Sequence, residues 1–244
     1  VRGFAKYVAI FDPDVEIPPA NVFGQAYCRV APHIYTPAEI TEILAASRKL
    51  LPADRLRPHT YFTLFGLLIC TGMRLSETLR LKRSDIDLKN ATISIRETKF
   101  KKSRMIPVHS STVKALRNYA KLRDQFYPVQ KADEFFVSMR GTGLSICTVE
   151  GTFIRIRSEI QWSSTSGRPL PRIHDMRHTF ACRRLIMWYE QGADIEQQMS
   201  ALSTYMGHVN VKNTYWYLSA VPELMLWAGT RFERFAAGRT GEKQ

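Results

Sequence analysis

The sequence predicts a mainly α-helical fold with a small antiparallel β-sheet (α+β), and three features carry that expectation. Apolar residues recur at helical spacing through most of the 244 positions. One stretch, between Ala91 and Val108, changes to a period of two. Helix start and stop residues bracket the helical runs, most clearly at Thr36-Pro37-Ala38-Glu39 and at Gly72.

In chain order, residues 1–10 read as the short amphipathic end of a helix, with Phe4, Tyr7 and Val8 on one side. Residues 11–35 carry Pro13, Pro18, Pro19 and Pro32 with little periodicity, as a linker does. Thr36 then supplies an N-cap, Pro37 the first helical position and Glu39 the capping-box acid, with Ile40, Ile43, Leu44 and Leu50 as the buried stripe. Tyr61 to Thr71 is apolar nearly all round, as a central core helix is, and Gly72 ends it. Ile93 and Ile95 alternate with polar residues, and Met105, Ile106 and Val108 follow a lysine-rich turn, giving a β-hairpin tipped by Lys99, Lys101 and Lys102. Helices are expected over roughly 111–124, 146–161, 175–190, 195–205, 211–218 and 221–236, with a further strand at Phe135-Phe136-Val137. No internal repeat or low-complexity tract is visible.

Lys and Arg total 35 against 22 Asp and Glu, a formal charge of +13. That excess points to a polyanionic partner, nucleic acid before membrane, against the plainer reading of a solvated basic surface. Cys28, Cys70, Cys147 and Cys182 are widely spaced among apolar neighbours, so small buried thiols in a reducing compartment are expected. The N-terminus lacks a charged-then-apolar leader, and the apolar stretch Phe62 to Cys70 is too short to span a bilayer, so a soluble cytoplasmic protein without a membrane partner is expected. The chain begins with Val1 rather than Met, which suggests that an upstream part has been removed.

The residues with chemistry to offer are basic and phenolic. His174 and Arg177 are three apart, so on a helix they share a face and can meet one phosphate, helped by the positive end of the dipole at the helix start. The ordinary alternative is that Arg177 pairs with an acid and His174 caps the helix. His174 and His178 also have the i, i+4 spacing of a zinc-binding HxxxH helix, with Asp175 in the acid position, but no third ligand follows at a suitable spacing. His208 and Tyr217 are nine apart, and continuous helix would put them on opposite faces; they share a site only if the chain turns between them, for which Asn210 is the expected break. Tyr205 and Tyr215 compete with Tyr217 as the reactive phenol, and packing is the default for each. Glu77 lies one turn after Arg74 and can hold its guanidinium. Lys99 is either a solvated hairpin cation or a general acid swinging over a site formed elsewhere.

Taken together these residues resemble the tyrosine recombinase (phage integrase) family. The matching pieces are Thr71-Gly72-Met73-Arg74-Leu75-Ser76-Glu77, the hairpin from Thr98 to Val108 with Lys99 five before Arg104, His174-Asp175-Met176-Arg177-His178-Thr179-Phe180-Ala181, Met206-Gly207-His208, and Tyr217. Met206 stands where leucine is frequent and Phe100 where glycine is frequent. The similarity covers about residues 33–220.

The resemblance implies the catalytic-domain fold of the DNA breaking-rejoining enzymes, and a site-specific recombinase acting through a 3′-phosphotyrosyl link for a mobile element. Tyr217 would attack phosphorus, Arg74 and Arg177 would bind the non-bridging oxygens, and His174 would assist proton transfer with Tyr217. Lys99 would protonate the leaving 5′-oxygen and His208 would hydrogen-bond the phosphate, with Glu77 in support. It implies no metal or other cofactor, double-stranded DNA as partner, a homo-oligomer (a tetramer on paired sites), accessory DNA-bending proteins, and a nucleoid-associated place in a bacterial cytoplasm. Residues 1–34 would be the end of an upstream core-binding domain plus linker, 35–220 the catalytic domain, and 221–244 a tail helix whose stripe of Leu224, Leu226, Trp227 and Phe232 packs on its own or a neighbouring subunit. Lys101, Lys102 and Arg140 are expected DNA-backbone contacts, with solvated surface as the alternative. A type IB topoisomerase-like relaxing enzyme and a truncated integrase that only binds DNA are the other readings.

Overall fold

The computed structural model describes residues 1–19, 31–96, 103–129, 131–162, 170–208, 210, 212–220 and 229. The chain divides into two compact units, residues 1–31 and 32–244. In the first, helix α1 (Arg2–Val8) forms where the sequence placed a helix end, and Arg2 Nε donates to the carbonyl of Pro18 at 2.9 Å.

In the second unit, α2 (Pro37–Arg48) begins with the expected capping box. Thr36 Oγ1 accepts the Glu39 N–H at 3.2 Å, and Glu39 Oε2 accepts the Thr36 N–H at 2.7 Å. Helix α3 (Arg57–Thr71) starts four residues before the expected Tyr61, because Pro58 suits a first turn and Leu56 already belongs to the core. Its residues Leu64, Phe65, Leu67 and Leu68 are buried, and α2, α5 and α7 pack around it. Gly72 then closes α3 in the left-handed conformation (φ 62°), where a Cβ would lie 2.5 Å from the ring of Phe180.

Helix α4 (Leu75–Leu79) and a 3-10 turn (Arg83–Asp85) lead into an antiparallel sheet of β1 (Ile86–Asp87), β2 (Thr92–Ile95) and β3 (Arg104–Pro107), in that order. Ile93 faces Ile106 in the register, and both are buried with Ile95. Met105 points outward, 66% exposed, as alternation requires when Ile106 faces in. β1 escaped the sequence reading because two residues cannot display a period. The hairpin tip with Lys99, Lys101 and Lys102 lies outside the described residues.

The later helices are α5 (Ser110–Phe126), α6 (Ile146–Glu159), α7 (Ile173–Glu190), α8 (Ile195–Met206) and α9 (Lys212–Ala220). The strand expected at Phe135-Phe136-Val137 does not form as such; only isolated bridges flank it, Lys82 with Glu134 and Val137 with Gly143. Side chains occupy the backbone groups a ladder would use. Arg123 Nη1 donates to the Phe135 carbonyl at 3.0 Å, and Val137 N–H donates to the Tyr119 hydroxyl at 3.1 Å. The cysteine expectation also fails in part: Cys182 is buried, but Cys70 and Cys147 are exposed, with Cys70 Sγ 3.5 Å from Thr112 Oγ1 of α5. Cys28 and, apart from residue 229, the tail helix expected over 221–236 lie outside the described residues. Among those residues, no helix is long and apolar enough to cross a membrane.

The core has two parts. The larger joins α2, α3, the sheet, α5 and α6; the smaller joins Phe180, Leu185, Met199, Leu202, Met206 and Tyr217 of α7, α8 and α9. Tyr205 packs against both. Arg74, Glu77, His174, Arg177, His208 and Tyr217 lie on or beside α4, the first turns of α7, the end of α8 and α9.

Candidate active site

Arg74 is placed by the break between α3 and α4. Gly72 turns the chain, Arg74 is extended (φ −72°, ψ 143°), and α4 begins at the next residue. Glu77 sits at the third position of α4, where its Oε2 accepts the Arg74 N–H at 3.0 Å and its Oε1 accepts from Arg74 Nη1 at 2.7 Å. Arg74 Nη2 donates to the Gly207 carbonyl at 3.1 Å. The guanidinium is thus gripped along two edges while its side chain stays 31% exposed.

Arg177 comes from the second turn of α7, whose start is fixed by Asp175 Oδ2 accepting the Arg172 N–H at 2.8 Å. It is only 3% exposed. Arg177 Nη1 donates to the Gly72 carbonyl and Nη2 to the Met206 carbonyl, both at 2.7 Å. Among the described residues its hydrogen bonds go to main-chain oxygens rather than to an acid, which fixes its direction without cancelling its charge. Burial, then the charge of Arg74, lowers its pKa to about 10, partly offset by Tyr217 and Glu77, so it remains a cation at neutral pH. His174 stands at the open edge of the same helix end. Desolvation first and the Arg177 charge second push its imidazole below the ordinary histidine range, so it is biased toward the neutral form that accepts protons.

The turn expected between His208 and Tyr217 is present. Helix α8 ends at Met206, Gly207 adopts φ 68°, and α9 starts at Lys212, with the Asn213 N–H donating to the Asn210 carbonyl at 3.0 Å. Gly207 closes α8 just before His208, and His208 and Asn210 are non-helical, so the break between His208 and Tyr217 falls near Asn210 as expected. The two side chains come together as a result: the His208 and Tyr217 rings stack with centroids 6.3 Å apart. His208 Nδ1 is 2.7 Å from Thr214 Oγ1.

The competing tyrosines separate by burial. Tyr217 is 2% exposed and Tyr215 is 45% exposed, while Tyr205 stacks on Phe180 at 5.4 Å. The Tyr217 hydroxyl lies 3.1 Å from His178 Nδ1, and the His178 ring meets His174 edge-on at 4.7 Å. His178, which the sequence offered as half of a zinc pair, is therefore a partner of the phenol. Among the described residues no group of three or more His, Cys, Asp or Glu side chains could hold a metal ion.

Arg74, Glu77, His174, Arg177, His208 and Tyr217 thus belong to one cluster, linked through the Gly72 and Met206–Gly207 turns. Arg140 is elsewhere, on an exposed turn where its N–H donates to Ser138 Oγ at 3.2 Å. Three members were given no role at this site by the sequence: Arg104, His178 and Thr214. Arg104 donates from Nη2 and Nη1 to the two carboxylate oxygens of Glu77 at 2.8 and 3.2 Å, and from Nε to the Tyr205 carbonyl at 2.8 Å. Its place in the hairpin motif was visible, but a pairing across 27 positions leaves no local signal.

Comparison with known proteins supplies the family context. A family model described as the phage integrase family matches residues 34–223. The chain is 41% identical to the putative integrase/recombinase y4rB of Sinorhizobium fredii, covering 98% of this chain and 78% of that protein. It is 27% identical to tyrosine recombinase XerC of Chlamydia pneumoniae over 89% of this chain and 64% of that protein. Among solved structures it resembles XerA recombinase, with a TM-score of 0.64 at 24% identity over 93% of this chain and 74% of the other. It also resembles XerH bound to its palindromic difH substrate in a post-cleavage complex, with a TM-score of 0.66 at 20% identity over 90% of this chain and 59% of the other. At such identities these structures speak for the fold.

Proposed function

The chain belongs to the phage integrase family, and on that premise we propose that it breaks and rejoins double-stranded DNA through a covalent link to Tyr217. It is a site-specific tyrosine recombinase. The observation that carries the residue assignment is the pair of arginines. Arg74 and Arg177 both reach across to carbonyls of the Met206–Gly207 turn, and the same turn leads into the helix that bears Tyr217.

In the proposed reaction the Tyr217 oxygen attacks the scissile phosphorus, the bond from phosphorus to the 5′-oxygen breaks, and a 3′-phosphotyrosyl link and a free 5′-hydroxyl result. Tyrosine, with an ordinary pKa of about 10, is a poor nucleophile without a base. His174 takes up the phenolic proton, directly or through His178, whose ring bridges His174 and the hydroxyl. Arg74 and Arg177 hold the non-bridging oxygens and stabilise the charge that builds on them. His208, steadied by Thr214, hydrogen-bonds the phosphate. Lys99 protonates the leaving 5′-oxygen. Rejoining is the reverse: a 5′-hydroxyl attacks the phosphotyrosine and Tyr217 departs. The link conserves the bond energy, so neither a nucleotide nor a metal is needed.

Tyr217 is seated on His178 and nearly sealed, so α9 must turn its hydroxyl outward to meet DNA. Lys101, Lys102 and Arg140 contact the DNA backbone. A relative 41% identical is named as an integrase/recombinase, which supports a mobile element as the setting; the working assembly in this reading is a tetramer on paired sites with DNA-bending accessory proteins.

The test uses nicked suicide substrates carrying candidate sites, with a denaturant-stable protein–DNA adduct as readout. Wild type and Tyr215→Phe are expected to form it and Tyr217→Phe is not. An adduct persisting in Tyr217→Phe refutes the nucleophile assignment, and binding without any adduct refutes the enzymatic reading.

A further inference from the structure

Arg104 is no member of the phosphate-binding set proposed above, yet it lies against both groups that hold the Arg74 guanidinium, Glu77 and the Gly207 turn. Its side chain is 12% exposed, and that of Glu77 is 6% exposed. The Glu77 carboxylate is shared between two guanidinium groups. Oε1 accepts from Arg74 Nη1 at 2.7 Å and Arg104 Nη1 at 3.2 Å, while Oε2 accepts from the Arg74 N–H at 3.0 Å and Arg104 Nη2 at 2.8 Å. The planar fork of Arg104 therefore sets the plane of the carboxylate, and that plane decides where the Arg74 guanidinium points.

The second anchor of Arg74 is the Gly207 carbonyl, and Arg104 governs that turn as well. Its Nε donates to the Tyr205 carbonyl at 2.8 Å, two residues upstream. Its guanidinium occupies the space beside Gly207, where a Cβ would stand 2.7 Å from Arg104 Nη1 and 3.0 Å from its Cζ. From the start of β3, Arg104 is thus a wedge between α4 and the end of α8, beside both groups that hold Arg74.

We infer that Arg104 is a positioning residue for the recombinase reaction, fixing the phosphate-facing pose of Arg74 through Glu77 and the Gly207 turn. A lysine cannot substitute, because one ammonium cannot serve two carboxylate oxygens and a carbonyl in the plane of a fork. The inference rests on the assignment of Arg74 to the scissile phosphate.

The test compares two suicide substrates, one with an ordinary scissile phosphodiester and one with a neutral methylphosphonate in its place, which needs no neutralising cation. Rates of adduct formation are measured at saturating DNA for wild type, Arg104→Met and Arg104→Lys, with Arg74→Ala as reference. Misplacing a catalytic group by about 1 Å can cost roughly 100-fold. Arg104→Met is expected to lose on that order with the phosphodiester at unchanged DNA affinity, Arg104→Lys less, and both to regain most of the loss on the methylphosphonate, as Arg74→Ala does. A merely structural residue would show the same deficit on both substrates, and that result overturns the inference. Should Arg104→Met fail to fold, the same comparison on Arg104→Lys decides. If Arg104→Met cleaves the phosphodiester at the wild-type rate while Tyr217→Phe forms no adduct, this inference fails and the proposed function stands. If wild type forms no Tyr217-dependent adduct, the proposed function itself fails.

Discussion

At the scale of single residues, the site depends on cations whose direction is set by neutral or shared partners. Arg177 is the clearest case, with two carbonyls holding its fork and, among the described residues, no acid as a hydrogen-bond partner. Arg177→Lys, which keeps a charge but loses the fork, is expected to slow adduct formation by about 10²–10³-fold, the usual scale for losing one donor to a developing oxyanion. Single-turnover kinetics beside a binding measurement check this, because affinity should change far less than rate. Glu77 gives a pH prediction. Burial opposes its ionisation, but hydrogen bonds and charge from Arg104, joined by Arg74, hold its carboxyl below the ordinary range. As pH falls, the unfolded chain takes up that proton first, so the stability Glu77 confers is complete above the ordinary carboxylate value of about 4.3 and is lost as pH drops through the lower folded value. Melting curves should therefore show the advantage of wild type over Glu77→Gln at neutral pH and its disappearance in strong acid. The motif spacings carried Arg74, His174, Arg177, His208 and Tyr217 in the sequence. The Arg104–Glu77 pair and the Tyr217–His178 bond did not show, because only folding brings residues 27 and 39 positions apart into contact.

At the scale of elements, the legible parts were those with a local cause. The Thr36 capping box, the Gly72 stop and the two-residue alternation of the hairpin act within a few residues, and each appears where the sequence placed it. The illegible parts were settled by distant partners or by brevity. Phe135 and Val137 give their backbone groups to Arg123, Leu81 and Tyr119 instead of a ladder, and β1 is two residues long. Two substitutions test this level. Thr36→Ala should cost about 1 kcal/mol through loss of the N-cap, read as a small drop in the unfolding midpoint. Gly72→Ala should cost more, about 1–3 kcal/mol for a left-handed non-glycine residue alone. The Phe180 ring stands 2.5 Å from the new Cβ and adds to that cost. An unchanged denaturation midpoint for Gly72→Ala would show that the α3 stop is not held as described.

At the scale of the molecule, a net charge of +13 accompanies a site made of cations and a phenol. If DNA binding works by displacing counterions, the logarithm of the binding constant should fall linearly with the logarithm of salt concentration, by about 0.9 for each phosphate neutralised. A salt-independent affinity would contradict that use of the charge. Covalent chemistry at this site turns on one atom, the Tyr217 oxygen, brought beside His208 by the break between α8 and α9. Its most direct test is to digest the covalent protein–DNA adduct and locate the nucleotide by mass spectrometry. A 3′-phosphate joined to Tyr217 is expected, with a 5′-hydroxyl on the released strand. Attachment at Tyr215 or Tyr205, or through a 5′-phosphate, would contradict it.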